Sequence, residues 1–184
     1  MREELARDDR EQRREQGGGR EWDRYDVISV ADLLGRGARS TRTDRAIGAA
    51  AANQVLEVAG NVRLTGEPLV VELVPEANVA AGEASFGLGD ALRAHIPDAE
   101  VLRFRAAPGR LDLNGRPLVI VARDAHRHPW EREAVDELLA ASEGAVVIET
   151  GIPEWRPERA TGYIATHGAA RVNLEAAAAR LAAT

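Results

Sequence analysis

Cysteine and lysine are both missing from the 184 residues of this chain. Without cysteine there is no disulfide framework, no thiolate zinc site and no cysteine nucleophile. Without lysine there is no Schiff-base amine, no phosphate-loop lysine and no serine–lysine pair. All 24 basic residues are therefore arginine, which together with the alanine richness points to a GC-biased genome rather than to a mechanism. Long apolar runs are missing too. No window approaches the ~18 uninterrupted apolar residues of a membrane span, and the opening MREELARDDREQRREQGGGREWDRYD holds no apolar stretch of signal-peptide length. A net charge of −6 argues against nonspecific nucleic-acid binding, which runs on phosphate neutralisation. The expectation is a soluble cytoplasmic protein with neither nucleic acid nor membrane as partner.

What is present is unevenly distributed. The stretch 1–45 is rich in arginines and acids that cancel, so the net negative charge comes from the remainder. The head through Gly19 is charge-dense and ends in Gly17-Gly18-Gly19. A helix there would have no apolar face to bury, so residues 1–20 are expected to be disordered or frayed. The division that follows is a charged, irregular segment over 1–43 and a folded domain over 44–184. Hydrophobic residues make up 45% of the chain, enough for a core in one domain of this length.

The folded part reads as an alternation of strands and helices. Asp44 is placed to cap a helix over AIGAAAANQVLEVAG, with Gly60 at its end. LVVELV (69–74), PLVIVAR (117–123) and GAVVIET (144–150) are short apolar, β-branched runs, as in buried strands. EVLRFR (100–105) alternates, and GYIATH (162–167) is a further short strand. A helix of roughly ten residues is expected before Pro97, a second over 129–142 with Pro129 in its first turn, and a third over ARVNLEAAAARLAA. Pro108-Gly109 and Asn114-Gly115 mark turns. The fold class is α/β: an open three-layer α/β/α sandwich of flavodoxin-like type with a mostly parallel sheet. Such a sheet gathers the carboxyl ends of its strands on one edge, where ligands bind.

Four loops share that edge, and they carry the candidate residues. RDAHRHPW supplies Arg123, Asp124, His126 and His128; the loop after the first apolar strand supplies Asn78 and Glu83; the two later loops supply Trp155 and His167. Asp124, His126 and His128 have the atoms of a metal site, but the spacing is generic and no second ligand group accompanies it; no metal or cofactor is assigned. Gly82, Gly87 and Gly89 precede a helix without the spacing of a nucleotide loop, and no serine sits in a nucleophile elbow. The plain alternative is that Arg123, Asp124 and the histidines cap the following helix and pair with one another. Trp130 and Trp155 suit either a sugar face or packing.

VARDAHRHPWEREAVDELL, VVIETGIPEW, YIATHGAARVNLEAAAARL and NVAAGEASFGL together resemble the C-terminal domain of glycoside hydrolase family 3, in particular of bacterial two-domain β-N-acetylhexosaminidases. The resemblance runs from about Asp44 to the end of the chain, in family order. It implies an α/β/α sandwich and a carbohydrate of N-acetylhexosamine type as partner. It also implies a barrel domain that carries the nucleophilic aspartate and, in the N-acetylglucosaminidase branch, an acid/base histidine paired with an aspartate. A barrel of that kind needs ~200 residues or more, and the short polar stretch before the matching region does not supply one. No catalytic residue is therefore carried over to this chain. In other branches the C-terminal domain lends an acid/base glutamate, but no motif places that role on Glu83, Glu149 or Glu154.

The resemblance thus implies a detached domain, catalytically incomplete alone, that serves as an accessory or sugar-binding module or as half of a split enzyme. Arg123, Asp124, His126, His128, Asn78, Glu83, Trp155 and His167 would then form a ligand-binding or interdomain rim, with a separate barrel chain or a second copy as partner. Two other readings stand beside it: a small hydrolase working through Asp124, His126 and His128, and a flavodoxin-like ligand-binding module.

Overall fold

A computed structural model of the chain describes residues 42–75 and 87–183. The expectations for the charged head, for Asn78 and for Glu83 fall outside these residues. The elements run α1 (Arg42–Val55), β1 (Glu57–Gly60), β2 (Leu69–Leu73), α2 (Leu88–Leu92), β3 (Glu100–Phe104), β4 (Leu118–Ala122), α3 (Pro129–Ala141), β5 (Ala145–Glu149), β6 (Gly162–Ala165) and α4 (Arg171–Ala182).

The strands form one six-stranded sheet in the order β1-β6-β5-β4-β2-β3. All neighbours pair in parallel except β1, which runs antiparallel to β6. The five parallel strands have the flavodoxin-type order, in which the chain leaves β2 towards one edge and later leaves β4 towards the other. A constant crossover hand then sends successive helices to opposite faces. The core has this division. Val70, Val119, Val146, Ile148 and Ile164 face α2 and α4. Their alternating neighbours Leu69, Val71, Ile120, Val147 and Tyr163 face α3 through Ala134, Val135 and Leu138. Every residue of β2, β4 and β5 is buried, because a parallel sheet covered on both faces has no wet side. Each fully buried leucine, isoleucine or valine contributes ~1.5–3 kcal/mol, so these three strands dominate the stability.

Two crossovers, β3 to β4 and β5 to β6, have no helix. Between β3 and β4 the chain turns through Gly109, Asn114 and Gly115, all at positive φ, and Leu111 and Leu113 lie on the α3 side of the core. This irregular stretch takes the place of a second covering helix on that face.

Three expectations change. Helix α1 begins at Arg42, so Asp44 lies within its first turn instead of capping it. The helix read through Gly60 stops at Val55, and Glu57–Gly60 becomes the edge strand β1. Pairing with β6 overrides helix propensity there, since Val58 lies opposite Ile164 and Ala59 opposite Tyr163. The helix before Pro97 is only five residues long. Its end tightens into turns as the amides of His95 and Ile96 both donate to the Leu92 carbonyl.

Gly60 ends β1 at φ +70°, and a Cβ there would strike the Thr161 carbonyl oxygen. Gly66 has φ +84° with open space around it. Replacing either by alanine forces an L-residue into the left-handed region at ~1–2 kcal/mol. Gly60→Ala should lose more stability than Gly66→Ala in urea titrations, because only the former adds a backbone collision; equal losses would show that the β1–β6 junction gives way freely.

Candidate functional site

The carboxyl ends of β4, β5 and β6 lie on one edge of the sheet because those strands are parallel. Strands that end abruptly leave main-chain amides without ladder partners, and buried amides need acceptors. Two glutamates provide them. Glu149, the last residue of β5, is buried and accepts hydrogen bonds from the amides of Asp124 (2.7 Å), Gly151 (2.7 Å) and Ala125 (3.3 Å). Glu131, in the first turn of α3, is fully buried, and its Oε2 accepts from the Arg123 amide at 3.0 Å. Three consecutive amides, Arg123 to Ala125, are thus held by two carboxylates from different elements.

This grip sets the backbone of the rim loop. Asp124 has φ +54°, a left-handed conformation that a non-glycine residue adopts only when its surroundings dictate it. Its amide is on Glu149, and its Oδ1 accepts from the Ile152 amide at 2.8 Å. Gly151 passes so close that a Cβ would overlap the Asp124 carboxylate. The loops after β4 and β5 are therefore locked to each other. Burial raises the Glu149 carboxyl above its ordinary range, opposed by its three amide donors. Glu131 has fewer donors: burial first, then the Glu149 and Asp124 charges, push it up to about 7, against the Arg123 amide and guanidinium. Its Oε1 is buried with no hydrogen-bond partner.

The other expected residues distribute as follows. The His126 Nε2 lies 3.7 Å from Glu154, while its Nδ1 is buried without a partner. His128 precedes α3 and holds the helix start through its carbonyl, which accepts from the Glu131 and Arg132 amides; its side chain makes no cap. His167, at φ +54°, pairs through Nε2 with Glu57 at 2.9 Å, at the start of β1. Trp155 packs against the α3-side core, its carbonyl accepting from the Tyr163 hydroxyl at 3.5 Å. Arg156 lies over the Tyr163 ring at 5.3 Å, and burial chiefly pushes the Tyr163 phenol up to about 12. Arg123, Asp124 and His126 thus belong to one locked cluster with the β5 loop, and His167 belongs to a separate contact at β1. The Asp124 carboxylate engages Ile152, not the histidines.

Further along the same edge, Glu72 of β2 is buried and accepts from the Gly89 amide (2.7 Å) and from the Arg103 Nε (2.6 Å). Arg103 also reaches Asp90 at 2.6 Å, and Asp90 accepts from the Gly87 amide. The start of α2 is therefore occupied by the chain's own carboxylates. Among the described residues no group of three or more potential ligands is arranged to hold a metal ion, and no helix is long and apolar enough to cross a membrane.

Sequence reading missed Glu131 as a site residue and found no function for Glu149. The signal was slight: a glutamate directly after Val-Val-Ile in a buried strand, and one in the first turn after Pro129. Glu149→Ala strips acceptors from three amides, each worth ~1–3 kcal/mol when left unsatisfied. The variant should lose at least ~3 kcal/mol in denaturant unfolding, with Glu149→Gln falling between it and the wild type; a loss under ~1 kcal/mol would mean that water replaces the carboxylate.

The sequence matches no family model and no curated protein. Solved structures do match. A glycoside hydrolase family 3 β-N-acetylglucosaminidase from Paenibacillus sp. str. FPU-7 superposes with a TM-score of 0.57 at 14% identity, covering 77% of this chain and 31% of its own. A fungal multi-domain family 3 β-N-acetylglucosaminidase gives a TM-score of 0.53 at 14% identity, covering 73% of this chain and 17% of its own. The β-glucoside phosphorylase BglX gives 0.54 at 10% identity, covering 88% of this chain and 33% of its own. The chain spans a third or less of each. At such identities the likeness establishes the fold, and the fold of this chain is the α/β sandwich found within family 3 β-N-acetylglucosaminidases.

Proposed function

We propose that this chain is a C-terminal-type domain of a family 3 glycoside hydrolase, acting as the accessory or sugar-contacting half of an enzyme whose chemistry resides in a barrel. The observation that carries this reading is the locked rim: Glu149 and Asp124 tie the loops after β4 and β5 into one fixed surface. A rigid, polar strand-end edge suits a contact with a second domain or with a sugar held between the two. Arg123, Asp124, His126, His128, Trp155 and His167, together with Asn78 and Glu83, would form that surface. The shared fold with β-N-acetylglucosaminidases supports an N-acetylhexosamine as the sugar.

The engagement of the rim's own carboxylates supports a domain without an independent hydrolytic set. A retaining glycosidase that works through two carboxyl groups needs both free at ~5–5.5 Å, and Glu149 and Asp124 are occupied by main-chain amides. The same occupancy weighs against a small hydrolase built on Asp124 with His126 and His128. Likewise, Glu72 and Asp90 already receive the Gly89 and Gly87 amides, which weighs against a phosphate at the start of α2.

The test is hydrolysis of a chromogenic β-N-acetylglucosaminide by the purified chain and by Asp124→Ala, with and without an added family 3 barrel. The chain alone should give no turnover, and a matching barrel should gain activity in its presence. Turnover by the chain alone that Asp124→Ala abolishes would overturn the accessory reading.

A further inference from the structure

Glu131, Glu149 and Asp124 converge where the β4–α3 loop meets the end of β5. Glu131 is faced by Asp124 and Arg123 from that loop and by Glu149 from β5. Arg123 is the single cation among the groups acting on it, set against two other carboxylates. Glu131 Oε1 is buried with nothing to bond, while all three carboxyl groups hold rim amides: Glu131 that of Arg123, Glu149 those of Asp124, Ala125 and Gly151, and Asp124 that of Ile152. Two buried carboxylates and a partly exposed third, with one nearby cation, are unfavourable when all are ionised, and such clusters relieve the repulsion by keeping a proton.

We propose that this carboxyl cluster is a proton switch on the rim: with a proton on Glu131 the β4 and β5 loops are locked together, and loss of that proton loosens them. In functional terms the device regulates the interdomain rim, and that consequence rests on the reading above; the switch itself does not. The orphaned Oε1 is the seat of the proton, since Oε2 is occupied by the Arg123 amide. Once Glu131 ionises, its charge faces Glu149 and Asp124 directly, and the strain falls on the left-handed Asp124 whose amide and carboxylate tie the loops. The direction follows from linkage. Folding raises the Glu131 carboxyl from 4.5 to about 7, so across that interval the folded chain binds more protons than the unfolded one. Its stability therefore declines as pH rises from 4.5 to 7 and levels off above. A carboxyl that folding lowers, such as Asp90, contributes with the opposite sign.

The experiment uses the full chain alone, without barrel or sugar, so its failure leaves the accessory reading untouched. Glutamate Cδ signals of 13C-labelled protein are followed from pH 4 to 9, with Glu131 assigned through its own backbone. Amide exchange at Asp124 and Ile152 is measured at pH 6 and 8 and corrected for intrinsic rates. The expected result is a Glu131 Cδ midpoint near 7, with exchange at these amides about tenfold faster at pH 8, the change that follows from losing one ordinary hydrogen bond. In Glu131→Gln the exchange step should vanish. A Glu131 midpoint in the ordinary glutamate range would overturn the proposal, even if the variant failed to fold. So would an exchange step that persists in Glu131→Gln, which would assign it to another group.

Discussion

Main-chain amides left over at the ends of parallel strands are the constraint on which this edge of the molecule depends. A covered parallel sheet buries those ends, and each unsatisfied amide there destabilises the fold. The chain meets the requirement with side-chain carboxylates. Glu149 and Glu131 hold the amides after β4 and β5, and Glu72 holds the Gly89 amide at the start of α2. The buried carboxylates are thereby concentrated at the strand ends, and loop conformation becomes a consequence of their placement. Asp124 adopts positive φ because two partners on the neighbouring loop fix it from both sides.

The layered fold was legible because its signal is local. Apolar runs at 69–74, 117–123 and 144–150 mark buried strands on their own, and Pro129 with its following acids marks the start of α3. The motifs around RDAHRHPW and YIATHGAAR pointed to the same fold that structural comparison found. What escaped was whatever depends on distant partners. Residues 56–60 look like the tail of a helix until β6 is there to pair with them. The Asp124–Glu149 bond spans 25 residues, a distance at which no periodicity speaks. For the same reason the histidines drew the eye in RDAHRHPW, while the two glutamates that organise it are separate in sequence and unremarkable alone.

The arrangement also separates two kinds of polar residue on one edge. Those that build the loops, Glu149, Glu131, Asp124 and Glu72, are turned towards the main chain. Others, such as Arg127 and Glu154, are exposed on the scaffold the first group fixes. A domain that spans a third or less of its structural relatives gains from this division, because its outer residues can change without disturbing the acceptors beneath.

The antiparallel β1 has a meaning for solubility. An open parallel sheet ends in two rows of unpaired amides and carbonyls, templates for edge-to-edge growth between molecules. Here one edge is β1, only four residues long and broken by Gly60 in a left-handed turn. The other is β3, with Glu100 and Arg103 exposed along it. A short strand and a charged strand both make poor templates for such growth.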